Sequence, residues 1–256
     1  MPKRGGSSGI AGAVGAPQNF EEFTDVAISG FTYSGDDQNV RDFFAQNSNI
    51  TDIENDLTDN EDSALRLWTA GMLMSAVQYR GWDNMFDISP SSAAVTQVLD
   101  DLIDKSRLDK GVVVTRLSTP QLITGTKTAS LAELQAAEGS IIYAAGNMSC
   151  SAAAEGLSIG SGVGVKAGGS KTVEYRIKIP PSTGAGLYIG TSTLNPSFDS
   201  SQREFITSRD IYLRVGKSSY NAKRDIYVTE LEYVRKGTHD YGTKGRMPKK
   251  QIDANL

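Results

Sequence analysis

Histidine and cysteine, the residues on which most zinc sites and many nucleophilic mechanisms depend, are almost missing: the 256-residue chain has one of each. The lone Cys150 cannot form an internal disulfide, and a single histidine cannot complete a Cys/His zinc cluster. Ser-His-Asp or Cys-His catalysis would have to use His239, which lies in a Gly- and Lys-rich tail where we expect a solvated side chain. The sequence therefore predicts chemistry without a metal and without a histidine base.

Long hydrophobic runs, internal repeats and phosphate-binding glycine fingerprints are absent as well. No apolar stretch approaches the roughly 20 residues that cross a bilayer, so we expect a soluble, cytoplasmic protein with no cleaved signal and no membrane partner. The Gly-rich stretch 158–170 has neither GxGxxG nor GxxxxGK[ST] spacing and is interpreted as a loop. The hydrophobic fraction of 39% and charged fraction of 22% are those of an ordinary globular protein.

Composition and periodicity divide the chain into four parts: a Gly/Ala/Ser-rich arm (1–16), a helical portion (17–109), a β-rich core (110–234) and a basic tail (235–256). We expect the helical portion and the β-rich core to form one domain. The helical portion has 18 acidic residues against five basic ones, whereas the tail has six basic residues against two acidic ones. The tail is either a solvated, flexible segment or an element that docks an acidic partner or nucleic acid.

Helical periodicity appears early in the chain. Val40, Phe43 and Phe44 share one helical face, and 65–82 is an apolar-rich run of helix formers with N-terminal residues near position 62. A third helix is predicted over 91–105, with Asp100 among its outward residues. Its apolar face consists of Val95, Val98, Leu99, Leu102 and Ile103.

The periodicity changes after position 110, where β-branched and aromatic runs alternate with Gly- and Pro-rich turns. The predicted strands cover 112–114, 140–144, 172–179, 187–190, 211–215 and 225–234. Helices first and strands afterwards, without strict βαβ alternation, indicate an α+β fold.

Three local patterns contain candidate site residues. Arg116 ends the buried run VVVTR, and an arginine in such a place needs an anion or a carboxylate as its partner. Ser149 and Ser151 follow the strand run YAAGNM, where hydroxyl residues usually turn the chain or cap a helix. Gln202 and Glu204 stand two apart at the start of a strand after the segment PPSTGAGLYI, so we expect both side chains on one face. Each pattern alone has an ordinary structural explanation.

Together, the order and spacing of these patterns resemble the mono-ADP-ribosyltransferases of the exoenzyme type. The resemblance covers about 65–234 and is most specific over 177–215. In that family a strand arginine, a Ser-Thr-Ser strand and a Q-x-E or E-x-E loop line one NAD cleft. The resemblance therefore implies an ADP-ribosyltransferase-like fold, in which N-terminal helices precede a split β-sandwich that forms the cleft.

The resemblance also implies a role for each matching residue. Arg116, Ser149 and Ser151 match the positions that bind NAD, with Arg116 on its phosphates and ribose and Ser149 hydrogen-bonded to the catalytic glutamate. Glu204 matches that glutamate, which stabilises the oxocarbenium-like ribose when nicotinamide leaves. Position 150 departs from the pattern, since Cys150 stands where the family usually has Thr. The small thiol should preserve the strand, but a direct role for position 150 is not implied.

On the acceptor side, Gln202 matches the target-recognition residue that also takes part in transfer, and Phe198 matches a loop aromatic that related toxins present to their substrate. In the family, a glutamine there disfavours arginine acceptors and accompanies asparagine side chains of small GTPases or guanine bases. Protein and nucleic-acid targets both stay open, because an amide hydrogen-bonds either.

The implied activity is the transfer of ADP-ribose from NAD to a macromolecular acceptor by a monomeric toxin or effector, with release of nicotinamide and no metal. One alternative is an NAD glycohydrolase that uses the same cleft with water as the acceptor. Another is a non-enzymatic phage or scaffold protein that retains the fold. A bacterial effector and a phage protein are both consistent with the sequence, and either could act inside a bacterial host cell after delivery.

Overall fold

The computed structural model describes residues 37–69, 90–144, 146–152, 172–191, 193–194, 203–209 and 211–236. The predicted N-terminal arm and the basic tail beyond position 236 lie outside these residues. The described helices are α1 (Asp37–Asn47), α2 (Ile50–Asn55), α3 (Asp59–Thr69), α4 (Pro90–Lys105), α5 (Gln121–Thr124) and α6 (Leu131–Ala136).

Strands dominate the chain after α4. They are β1 (Arg107–Leu108), β2 (Val112–Ser118), β3 (Ile141–Ala144), β4 (Ser149–Ser151), β5 (Val173–Ile179), β6 (Ser182–Thr183), β7 (Gly186–Tyr188), β8 (Glu204–Thr207), β9 (Ile211–Asn221) and β10 (Ile226–Lys236). Eight of them form one sheet in the order β3-β9-β10-β5-β2-β4-β8-β7, while β1 and β6 pair separately. Within the sheet, only β10 and β5 are parallel. Helices followed by a mostly antiparallel sheet confirm the predicted α+β class.

The large sheet is split near its middle. Strand β2 pairs with β5 along its whole length, from Val112 to Ser118, but it is in register with β4 only at Thr115 and Ser151. A five-stranded part that ends at β2 therefore meets a three-stranded part, β4-β8-β7, at a narrow junction.

Helix α1 covers the three-stranded part of the sheet. Val40 and Phe44 are buried and Phe43 is partly buried, which confirms the predicted helical face. The Phe44 ring stacks on Tyr188 of β7 with centroids 4.1 Å apart and planes 5° from parallel. Packing of this aromatic pair fixes the helix on the sheet.

Helix α3 begins earlier than the sequence predicted. Thr58 and Glu61 form a capping box, in which the Glu61 amide donates to Thr58 Oγ1 (3.3 Å) and the Thr58 amide donates to Glu61 Oε2 (2.9 Å). This box satisfies amides that would otherwise lack partners, so the helix starts at Asp59 and not near position 62. Lys105 Nζ at the end of α4 donates to Glu61 Oε1 (2.6 Å) and connects the two helices. The rest of the predicted helix, after Thr69, lies outside the described residues.

Helix α4 matches its predicted range, and Leu99, Leu102 and Ile103 are buried as expected. The predicted outward position of Asp100 is wrong, because this side chain is only 3% exposed. Its carboxylate forms an ion pair with the equally buried Arg209, which follows β8. A buried charge is retained where such a partner compensates it, and this partner comes from a distant part of the chain.

Buried side chains from the helices and from the sheet belong to one hydrophobic cluster, which includes Phe44, Leu65, Trp68, Leu99 and Phe205. No helix within the described residues is long and apolar enough to cross a membrane. Helix α3 reaches the candidate site, because Trp68 Nε1 on this helix donates to Glu204 Oε1 at the start of β8.

Candidate active site

The fold brings Arg116, Ser149 and Glu204 together where the two parts of the sheet meet. Arg116 is on β2, Ser149 begins β4 and Glu204 begins β8. Strand β4 lies between the other two strands. Residues separated by 33 and 55 positions in the sequence are therefore within hydrogen-bonding distance of one another, as the family resemblance implied.

The carboxylate of Glu204 is nearly buried, with 5% exposure. Its Oε1 accepts a hydrogen bond from Ser149 Oγ at 2.5 Å and a second one from the indole Nε1 of Trp68 at 2.9 Å. Among the described residues no donor reaches Oε2. Both of these donors therefore hold the carboxyl group through the same oxygen atom.

Burial and hydrogen bonding act in opposite directions on the pKa of Glu204. Removal from water raises it above the ordinary glutamate value of 4.5. The hydrogen bonds from Ser149 and Trp68, and the positive charge of Arg116, lower it in part. The ionised form of this carboxyl group is therefore destabilised by burial. Ser149, Trp68 and Arg116 offset part of that free-energy cost.

Arg116 is anchored to the strand that carries Ser149. Its Nη1 donates to the backbone carbonyl oxygen of Ser149 at 2.8 Å. A guanidinium group has five N–H donors in a fixed plane, and this bond sets the orientation of that plane. The side chain is partly exposed, so a cation lies at the edge of the site beside the buried carboxylate of Glu204.

The second motif, Ser149-Cys150-Ser151, presents alternate residues to opposite faces of β4. Ser151 is directly opposite Glu204 in the register and shares its face with Ser149. Cys150 is opposite Phe205 on the other face and is 3% exposed. Burial raises the pKa of the Cys150 thiol to about 12, so it is a neutral packing residue. The strand accommodates cysteine at this position, as expected from its size.

A set of hydrogen bonds that the sequence did not predict fixes the start of β4. Asn147 Nδ2 donates to the carbonyl oxygen of Thr207 (3.1 Å), and the amide of Met148 donates to Thr207 Oγ1 (3.0 Å). The Thr207 amide donates in turn to the Met148 carbonyl oxygen (3.0 Å). These bonds hold the end of β8 against the residue before Ser149 and so fix the distance from Ser149 to Glu204.

Trp68 is a further site residue that sequence reasoning missed. It lies on α3, and its side chain is fully buried. The only signal in the sequence was a large aromatic residue on the apolar face of a predicted helix, which is typical of any core position. Its bond to Glu204 spans 136 residues of sequence.

Two predicted acceptor-side residues, Gln202 and Phe198, lie outside the described residues. The prediction that strand alternation places Gln202 and Glu204 on one face is therefore not tested, although β8 begins only at Glu204. Arg203, between them, has φ +46°, in the left-handed region, so the backbone is not extended there. The role of Gln202 stays a prediction from the motif alone.

The arrangement of charges suits a ligand with two different parts. One part carries negative charge, and the other develops positive charge during a reaction. Arg116 can pair with phosphate oxygens, while the carboxylate of Glu204 can stabilise a cation a few ångströms away. Among the described residues, His, Cys, Asp and Glu side chains form no group of three or more that could hold a metal ion. The expectation of metal-free chemistry stays a prediction.

Solved structures of several bacterial proteins are similar to this fold. C3stau2 from S. aureus, solved with NAD, is 16% identical over 78% of this chain and 97% of its own, with a TM-score of 0.56. The Clostridium limosum C3 exoenzyme is 13% identical over 85% and 98%, with a TM-score of 0.57. This chain has the ADP-ribosyltransferase fold. Plx2a, an ADP-ribosyltransferase toxin from Paenibacillus larvae, has the same fold at 15% identity over 78% and 96%, with a TM-score of 0.56.

These similarities confirm the ADP-ribosyltransferase-like fold that the sequence predicted. No protein-family model matches the chain, and no curated protein sequence matches it. At such low identities the likeness establishes the fold, and the activity has to be argued from the site.

Proposed function

We propose that this protein is a mono-ADP-ribosyltransferase that transfers ADP-ribose from NAD to a macromolecular acceptor and releases nicotinamide. The observation that carries the proposal is the buried carboxylate of Glu204, which accepts the Ser149 hydroxyl beside the Arg116 guanidinium. Its position at the split of an ADP-ribosyltransferase fold supports the proposal, as does the presence of NAD in the solved C3stau2 structure.

The reaction breaks the bond between ribose C1′ and the nicotinamide nitrogen, and the bonding electron pair leaves with nicotinamide. Positive charge develops on the ribose, as in glycoside hydrolysis, and the carboxylate of Glu204 stabilises it. A lone pair of the acceptor then forms the new bond to C1′, and the acceptor loses a proton to the solvent. No redox step is involved.

Three residues have distinct proposed roles in that reaction. Arg116 holds the anionic part of NAD, and its bond to the Ser149 carbonyl supports this role by fixing the guanidinium plane. Ser149 orients Glu204. Ser151, opposite Glu204 in the register, adds a second hydroxyl residue on the face that binds NAD.

The acceptor is proposed from the motif in the segment before β8. Gln202 orients an asparagine side chain or a nucleic-acid base, and Phe198 contacts the target, because an amide and an aromatic ring can recognise either. The helical portion (17–109) and the β-rich core (110–234) are proposed to act as one monomeric domain. Their shared hydrophobic cluster supports this organisation.

Transfer to a lysate tests the proposal and separates its acceptor classes. The protein is incubated with NAD labelled in the adenylate half and with whole-cell lysate, and samples are then treated with nuclease or with protease. If nuclease alone converts acid-precipitable label into acid-soluble label, the acceptor is a nucleic acid. If protease alone does so, the acceptor is a protein. Free ADP-ribose alone would make the protein a glycohydrolase, and unconsumed NAD would favour a non-enzymatic protein that retains the fold.

Gln202→Ala is expected to lower transfer to the target far more than slow hydrolysis of NAD. A neutral amide adds little to the stabilisation of a cation, whereas an acceptor has to be oriented and water does not. Both rates are measured on the same purified variant, and Gln202→Glu is the matched control, in which agmatine is tested as an arginine-like acceptor. Equal losses in both rates would assign Gln202 to NAD positioning or to folding.

On the acid side of the pH–activity profile, activity is expected to fall at a pH above 4.5; we call this fall the acid limb. The mechanism needs ionised Glu204, and burial raises the pKa of this carboxyl above that ordinary value, so activity falls as the pH drops through the raised pKa. The measurement is kcat/KM for NAD hydrolysis against pH. Ser149→Ala should move the limb to higher pH, because the Ser149 hydrogen bond lowers this pKa. A limb at or below 4.5 would contradict the assignment of Glu204.

A further inference from the structure

The second hydrogen bond to Glu204 comes from a helix and not from the sheet. We propose that Trp68 is a positioning residue for Glu204: its indole N–H and the Ser149 hydroxyl together occupy Oε1, so that Oε2 is the oxygen that meets the substrate. This inference rests on the proposed function, since it concerns the same site. It adds α3 to the elements that control the reaction.

The geometry at the carboxyl group is asymmetric. Trp68 Nε1 lies 2.9 Å and Ser149 Oγ 2.5 Å from the same oxygen atom. A carboxylate oxygen has two lone pairs, so two donors fill the hydrogen-bonding capacity of Oε1. Within the part of the chain that the structure describes, nothing donates to Oε2. The ribose hydroxyl and the developing cation of NAD therefore meet Oε2.

The Ser149 hydroxyl and the Trp68 N–H differ in the protonation states of Glu204 that they tolerate. A serine hydroxyl rotates and can accept as well as donate, so it tolerates a carboxyl group in either protonation state. An indole N–H only donates, and when it is buried it has to keep an acceptor. A protonated Oε1 would be a weaker acceptor for the Trp68 N–H than a carboxylate oxygen is. Trp68 thus favours Oε2 as the position of any proton on Glu204, a preference that the Ser149 hydroxyl alone does not impose.

Both sides of this contact are held in place. Trp68 is fully buried on α3, whose first turn is fixed by the Thr58–Glu61 capping box and by the Lys105 bond to Glu61. A side chain fixed in this way has one orientation, and its N–H cannot follow a moving carboxylate. Glu204 is therefore held between a helix and β4, in the position that Trp68 determines.

Few other groups can titrate beside this contact. The charged neighbour that affects the pKa of Glu204 is Arg116, and the adjacent thiol of Cys150 is affected by Arg116 and Glu204. A guanidinium group keeps its charge in proteins, and burial keeps the Cys150 thiol neutral up to a pH of about 12. Among the described residues, Glu204 is thus the group whose ionisation Trp68 should report.

The direct test is the pH dependence of the indole N–H signals by ¹H–¹⁵N NMR of the full chain without NAD. The protein has two tryptophans, so the Trp68 signal is the one absent from Trp68→Phe, or the one that remains in Trp82→Phe if the first variant does not fold. It should shift as Glu204 ionises, and the shift should be absent in Glu204→Gln, whose carbonyl oxygen still accepts the bond. A Trp68 signal independent of pH, or one that titrates equally in Glu204→Gln, would overturn the proposal.

Kinetics test the consequence for the reaction. Trp68→Phe keeps the aromatic packing but removes the donor, so kcat should fall by about 10- to 100-fold with little change in KM. The acid limb should move to higher pH, because the Trp68 hydrogen bond lowers the pKa of Glu204. Leu65→Val is the matched control, because Leu65 is a fully buried residue on the same helix without a donor. It should lower the melting temperature and leave the acid limb in place.

The two measurements separate failure of this inference from failure of the proposed function. If Trp68→Phe keeps the turnover and acid limb of the wild type, Trp68 is only a core residue and the inference is wrong. If the protein consumes no NAD, the proposed function is wrong. In that case the NMR titration alone decides whether Trp68 controls the ionisation of Glu204.

Discussion

Glu204→Gln is expected to lower both transfer of ADP-ribose and hydrolysis of NAD by roughly 10²-fold or more. The change keeps the volume of the side chain and the acceptor oxygen for Ser149 and Trp68, but it removes the charge that stabilises the ribose cation. Nicotinamide release at saturating NAD, measured by chromatography, gives the loss in kcat. Turnover near that of the wild type would rule out Glu204 as the stabilising group.

The same variant should fold at least as well as the wild type. Burial raises the folded-state pKa of Glu204, so this group's contribution to stability is present below pH 4.5 and is lost as the pH rises through the raised value. At neutral pH the wild type carries the cost of a buried charge that glutamine avoids. A melting temperature equal to or above that of the wild type is the expected control, and a large decrease would mean that the loss of activity reflects unfolding.

Arg116→Ala should weaken NAD binding by roughly 10- to 100-fold, because a charge-assisted, bidentate contact to phosphate is among the stronger hydrogen bonds. The dissociation constant is measured by calorimetry in the Glu204→Gln background, where NAD should be consumed far more slowly. Loss of the bond from Arg116 Nη1 to the Ser149 carbonyl should add a smaller defect in the orientation of Ser149.

Arg116→Lys separates these contributions. Lysine keeps the positive charge but lacks the planar fork, so it should bind NAD more weakly than the wild type and more tightly than Arg116→Ala. An unchanged dissociation constant in Arg116→Ala would show that a different residue holds the phosphates.

The sequence predicted the elements with strong local periodicity. The apolar face of α4 and the β-branched runs of β2, β5 and β10 were recognised because each pattern is complete within a few residues. Asp100 was misjudged, since a polar residue on a helix is expected to face water and its partner Arg209 is more than a hundred positions away. The short α5 and α6, with four and six residues, gave too few repeats to detect.

The site was predicted only in part, because contacts between distant parts of the chain leave no local pattern in the sequence. The order of the motifs was enough to bring Arg116, Ser149 and Glu204 together, and the fold places them at the junction of β2, β4 and β8. Trp68 had no motif. Its function depends on how α3 packs on the sheet, and that contact between distant parts of the chain has no local signature in the sequence.

The positive φ of Arg203 is another feature that alternation could not predict. A strand pattern assumes extended backbone at every position, whereas here the chain enters β8 through a left-handed residue. The period of two therefore does not hold at Arg203.

The central claim is that this site breaks the nicotinamide–ribose bond of NAD and passes the ribose to a macromolecule. One reaction tests it most directly: purified protein, NAD labelled in the adenylate half and lysate, with free nicotinamide and label bound to macromolecules measured in the same tube for the wild type and for Glu204→Gln. The account predicts that the wild type releases nicotinamide and incorporates label, with nicotinamide in excess only by the slow hydrolysis of NAD, and that both fall together in Glu204→Gln. Intact NAD with the wild type, or equal incorporation by both proteins, would contradict it.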